Sequence, residues 1–215
     1  MALYKNYKYK DIKIEVDLRV EQIEELHVRR VFEKFFEIIP EKIYDDFLTA
    51  IKVGQFFELD SQKKTAGYAN GTIYVSKFLY KTPRSANAEL LKNLVHESGH
   101  IFEKSFYDLL YLNGAVEEEF REKKQKIADT IPEFDPVWVF SHKYDANLES
   151  FIDWYDESEF RITTGKILPN PYAVLSMSEY IAYNFEEYFL RNKNTVKAMS
   201  PVIYSILSGV EDGKY

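Results

Sequence analysis

Ile12, Ile14 and Val16 alternate with Lys13 and Glu15 near the start of the chain, the period-two pattern of a strand with one buried face. The period then lengthens. Across residues 20–39 the apolar side chains Val20, Ile23, Leu26, Val31, Phe32, Phe35 and Phe36 recur near helical spacing, and Pro40 marks the stop. His27 falls within that helix as a packed or surface residue. Residues 41–50 read as a shorter helix through Ile43, Phe47 and Leu48. Segments 55–59 and 72–75 are rich in β-formers and read as strands, the second preceded by the turn residues Gly67, Asn70 and Gly71.

Helical period returns over residues 88–106, where Ser85 or Asn87 can cap the helix beyond the breaker Pro83 and Leu90, Leu91, Leu94 and Val95 form an apolar stripe. Over residues 128–174 the pattern loosens around Pro132, Pro136, Pro169, Pro171 and Gly165, although Phe151, Ile152, Trp154 and Tyr155 require burial. Residues 178–190 are helical again. This order predicts an α+β fold, helices packed on a small mixed sheet, in a single domain of 215 residues with an insertion at about 128–174. The insertion reads as a packed structural element or as a wall of a substrate cleft. A last strand leading into a long helix leaves an exposed sheet edge along which an extended peptide can lie.

Composition narrows the classes. The hydrophobic fraction is 46%, with 17 Tyr and 16 Phe, so the chain can build a core and that core is largely aromatic. A net charge of −7 argues against general nucleic-acid binding, which needs a clustered basic surface, and favours basic peptides over acidic ones as partners. Charge runs at 117–119 and 123–126 read as a solvated helix face. With no cysteine, neither disulfides nor thiolate metal ligands are available. No apolar run approaches the roughly 20 residues that span a bilayer, and residues 1–10 lack the apolar core of a secretory leader.

The chemistry concentrates in His96-Glu97-Ser98-Gly99-His100. On a helix, residues four apart lie one turn apart on one face, so two neutral imidazoles can grip a single ion with Glu97 beside it. A carboxylate in that position can take a proton from water that zinc has made acidic near neutral pH. Catalytic zinc usually has three protein ligands and a water, so a further ligand is required. His142 sits in an irregular segment, and the best-placed carboxylates fall in the helix at 178–190.

Three stretches resemble the catalytic domain of the anthrax toxin lethal factor family, which includes the secreted Pro-Pro endopeptidases. Residues 67–75 resemble its glycine-bearing edge strand, 94–100 its zinc helix, and Tyr180, Asn184 and Glu187 its tyrosine, asparagine and ligand glutamate. The likeness covers about residues 12–106 and 176 onward. It implies a zincin-like fold and a zinc-dependent endopeptidase in which His96, His100 and Glu187 hold Zn2+. Glu97 is then the general base, Tyr180 assists the oxyanion, and Gly71, Thr72, Ile73 and Tyr74 bind substrate backbone. It also implies secretion if a leader has been removed; the amino terminus as given is equally that of a cytoplasmic protein.

The chain departs from the family pattern in a longer spacing from His100 to Glu187 and in Leu190-Arg191-Asn192 after the ligand glutamate. Glu186 therefore stands as a second candidate ligand, with Asp153, Glu157 and Glu159 as others should the insertion cover the metal. Two rival functions share the motif: an intracellular protease that cleaves regulators of mobile genetic elements, and an inactive relative that only binds its partner.

Overall fold

A computed structural model of the chain describes residues 4–17, 27–61, 64–76 and 83–215. It comprises two compact units, Met1–Ser105 and Phe106–Tyr215. The first is α+β, and its sheet is mixed and small, as the sequence pattern predicts.

Five strands, β1 (Tyr4–Tyr9), β2 (Ile12–Asp17), β3 (Ala50–Val53), β4 (Ala66–Ala69) and β5 (Thr72–Val75), lie in the order β1-β2-β3-β5-β4. The β1–β2 and β4–β5 pairs are antiparallel hairpins, whereas β2–β3 and β3–β5 are parallel. Register places Ile14, Ile51 and Ile73 side by side across three strands, and Val16, Val53 and Val75 in a second row. None of the six is more than 2% exposed. Full burial of such a side chain contributes about 1.5–3 kcal/mol, so these rows fix the register of the central strands. The opposite face is polar, and Glu15 of β2 pairs with Lys52 of β3 at 3.2 Å.

Helices α1 (Val28–Ile38) and α4 (Pro83–Ser105) pack on each other; α1 meets β1 through Tyr7 on Phe32 and Tyr9 stacked on Phe36 at 3.8 Å, and α4 packs on β4 and β5. Short helices α2 (Glu41–Tyr44) and α3 (Phe57–Ser61) complete this unit. Val28, Val31, Phe32, Phe35 and Phe36 form the buried stripe of α1, while Val20, Ile23 and Leu26 of the expected longer helix lie outside the described residues.

Three expectations are corrected in this unit. The strand expected at 55–59 runs instead into helix α3, and the strand is β3, which starts five residues earlier, at Ala50. Ala50-Ile51-Lys52-Val53 has the in-out alternation that two parallel neighbours require, whereas Phe57 is 81% exposed and its β propensity finds no partner. The helix expected at 41–50 is only α2, because Leu48 turns the chain into β3. The metal-motif helix begins by Pro83, which lies inside its first described turn, a position where the missing N–H costs nothing.

The second unit is helical throughout its described secondary structure: α5 (Tyr107–Tyr111), α6 (Ala115–Thr130), α7 (Ala146–Tyr155), α8 (Glu157–Thr164), α9 (Met177–Leu190), α10 (Lys193–Met199) and α11 (Pro201–Glu211). The region expected as an insertion is ordered continuously with it. Two of the prolines that loosened the pattern open short 3-10 turns, Pro136–Phe140 and Pro171–Val174, each capped by the preceding Asp135 or Asn170 side chain. No described helix is long and apolar enough to cross a membrane.

Candidate metal centre

Helix α4 owes its position to one stripe of side chains. Leu90, Leu94, Val95, Ile101 and Phe102 are fully buried against the sheet, α1 and α2, and Ser98 is buried with its hydroxyl donating to the Leu94 carbonyl at 2.9 Å. At 3.6 residues per turn, the opposite stripe carries Asn93, His96, His100 and Glu103. The two imidazoles are half-buried, with ring centroids 5.4 Å apart and planes at 84°. Glu97 lies between the stripes and is 5% exposed.

His96, Glu97 and His100 each present a potential ligand atom, and these atoms lie within 4.8 Å of one another. Two nitrogens at the usual 2.0–2.1 Å from one tetrahedral ion stand about 3.4 Å apart, so modest side-chain rotations bring the pair onto a common centre. Nδ1 of His100 is 3.9 Å from a Glu103 carboxylate oxygen, which sets a negative charge beside the pair without a hydrogen bond to it. The donor set therefore fits a divalent cation. Glu103 went unremarked in the sequence, yet its signal was there, three residues beyond the second histidine on the same stripe. So did Asn93, whose side-chain nitrogen is buried without a hydrogen-bond partner one turn before the site.

The residues expected to bind substrate backbone are placed differently from that expectation. Asn70 and Gly71, with φ of 48° and 76°, form a two-residue turn that folds residues 66–75 into the β4–β5 hairpin. Strand β5 is consequently interior, and Thr72, Ile73 and Tyr74 are paired with β3 on one side and β4 on the other. The Gly71 carbonyl is occupied by the Thr49 and Ala50 amides at 2.7 and 3.2 Å. The edge belongs to β4, where Tyr68 donates to the Phe47 carbonyl at 2.8 Å and lies under the Lys104 ammonium of α4.

Tyr180, Glu186 and Glu187 belong to α9 of the second unit, whose first turn is capped by the Ser176 hydroxyl accepting from the Glu179 amide. Glu187 is largely buried with Arg191 at 3.7 Å; burial pushes its carboxyl up, and Arg191 opposes this. Glu186 is 3% exposed, 3.5 Å from the same guanidinium. Tyr180 is fully buried, stacked on Phe120, with its hydroxyl 3.1 Å from the Glu119 carboxylate and 2.9 Å from the Ser200 hydroxyl. That carboxylate also accepts from the amides of Val202 and Ile203 at 2.8 and 3.5 Å, capping the first turn of α11. Tyr180 is thus committed to a network that ties α6, α9 and α11 together. Asp153, Glu157 and Glu159 sit on α7 and α8; Glu157 pairs with Arg161 at 2.6 Å. Comparison of the chain with protein-family models, with curated proteins and with solved structures finds no match.

Proposed function

We propose that the protein is a zinc-dependent endopeptidase with a zincin-like first unit, and the observation that carries this reading is the His96, Glu97 and His100 cluster on one helix. His96 and His100 would hold the ion. The family resemblance assigns the third protein ligand to Glu187, with Glu186 as the alternative. When bound, zinc supplies Lewis acidity, lowering the pKa of water toward about 7 and polarising the scissile carbonyl.

The chain's own groups do the rest. Glu97, buried beside the histidines, accepts a proton from the attacking water and returns it to the departing amine, so the carboxylate ends each cycle unchanged. Substrate backbone is taken in extended form along β4, the sheet edge against which the metal helix packs. The Tyr180 hydroxyl, occupied by Glu119 and Ser200, serves structure in this scheme rather than the oxyanion.

The test is Glu97→Gln, which keeps the size and hydrogen-bonding reach of the side chain but removes its basicity. Metal analysis of the variant should show undiminished zinc, and turnover of a protein substrate such as casein should fall by about 10²–10⁴-fold. Undiminished turnover would overturn the proposal.

A further inference from the structure

The second unit carries an exposed surface built on α7. The buried side of that helix is Leu148, Phe151 and Ile152. Its exposed side has two margins. On one, Trp154 stands 70% exposed against Phe151 at 5.8 Å, and half-buried Trp138 lies on the same Phe151 ring at 5.2 Å. On the other, Glu149 and Asp153 stand one turn apart, followed by Glu157 at the start of α8. The three carboxylates converge on the Tyr172 phenol, which Glu157 meets at 3.3 Å; burial foremost, then the charges of Glu157, Asp153 and Glu149, push this phenol up to about 12. Arg161 neutralises Glu157, and Glu149 accepts from the Tyr144 hydroxyl, whereas exposed Asp153 has no ion pair among the described residues.

Both margins select the same kind of group. Indole faces are the best cation–π partners among side chains, and carboxylates attract cations by charge. Between Glu133 and Arg161 the sequence has eight Asp or Glu against Lys143 and Arg161, a surplus of six negative charges. A negatively charged lipid surface is repelled by such a face. Spacing favours a polypeptide: Glu149 and Asp153 are about 6 Å apart along the helix axis, close to the roughly 6.7 Å between alternate side chains of an extended strand.

We infer that the exposed face of α7, with Trp154 and Asp153 on it and half-buried Trp138 beside it, docks a Lys/Arg-rich polypeptide segment, arginine guanidinium stacking on indole while its neighbour pairs with the carboxylates. The inference stands apart from the peptidase proposal, since nothing in it requires metal or turnover.

Trp138 and Trp154 are the only tryptophans of the chain, so indole emission reports on this face directly. The full chain in EDTA, which prevents cleavage, is titrated with a peptide of alternating arginine and alanine and with its glutamate counterpart at low and at high salt. The arginine peptide should shift or quench the emission saturably, with affinity falling at least threefold between 20 and 150 mM salt, and the glutamate peptide should leave it unchanged. Asp153→Asn combined with Glu149→Gln should weaken binding about fivefold, and Trp154→Phe about threefold, read for the phenylalanine variant with a fluorescein-labelled peptide. Asp153 and Trp154 are exposed and Glu149 is partly exposed, and circular dichroism verifies the fold of both variants. No response to the arginine peptide, equal response to the glutamate peptide, or unaltered affinity in both variants would overturn the inference.

Discussion

Replacing Tyr180 by phenylalanine removes one oxygen atom from the interior of the second unit and leaves the ring stacked on Phe120, with centroids 5.0 Å apart. No cavity larger than a hydroxyl results, so the cost is almost wholly that of hydrogen bonds. The phenol donates to the Glu119 carboxylate, and Ser200 donates to the phenol oxygen. A hydrogen bond to a charged acceptor contributes about 1.5–3 kcal/mol and a neutral one about 0.5–1.5, so Tyr180→Phe should destabilise by about 2–4.5 kcal/mol. Urea unfolding of the whole chain at pH 7, monitored by helical circular dichroism, measures this as a lower midpoint at unchanged slope. A loss below about 0.5 kcal/mol would refute the claim that this network holds α11 to α6 and α9. The same variant separates two roles for the residue. An oxyanion donor costs about 10²–10³-fold in turnover when removed, whereas a structural phenol leaves folded protein within a few-fold of wild type, and the latter is expected.

Two further outcomes follow from the same geometry. Zinc affinity, measured by competition with a chromogenic chelator, should fall at least tenfold in whichever of Glu187→Gln and Glu186→Gln removes the third ligand and change little in the other; equal, undiminished affinity in both would exclude α9 as its source. Burial raises the carboxyl of Glu119 above its ordinary value, against the opposing amides of Val202 and Ile203, the Tyr180 hydroxyl and Lys123. An acid whose folded pKa exceeds the unfolded one stabilises fully below the unfolded value, and that contribution is lost as pH rises through the folded one. The stability of wild type relative to Glu119→Gln should therefore decline as pH rises from about 4.5 and then level off, as read by urea midpoints at successive pH values; a rising difference would reverse the assignment.

Elements whose signals are local were readable from the chain. The alternation at 12–16 is β2, the apolar stripe before His96 is the buried face of α4, and the segment at 178–190 is α9 with Ser176 as its cap. The candidate ligand cluster belongs to the same class, because both imidazoles and Glu97 sit within five residues of one helix and helical geometry alone brings them together. Strand β1 was equally local but disguised: Tyr7 and Tyr9 flank Lys8, and the tyrosines had to be recognised as the inward side that meets Phe32 and Phe36. The prolines at 136 and 171 suggested loose structure, yet each follows an Asp or Asn that caps a short helical turn, so the pair of residues carried the information that proline by itself obscured.

What the chain does not reveal along its length is pairing between distant residues. Strand β5 reads as an edge until β3, some twenty residues earlier, is seen to pair with it; only then does β4 become the edge and Gly71 a turn whose carbonyl is already occupied. Tyr180 illustrates the same limit in side chains. Its spacing from Glu187 reflects helical period, but the direction its hydroxyl takes is decided by Glu119, 61 residues before it, and Ser200, 20 residues after it. A buried carboxylate that must satisfy two orphan amides at the start of α11 recruits the nearest buried donor, and desolvation makes that demand stronger than any local pattern. Motifs of this kind therefore bring two potential ligands together by helical geometry alone and assign the more distant assisting groups less directly, because each of those groups answers first to the hydrogen-bonding needs of the core around it.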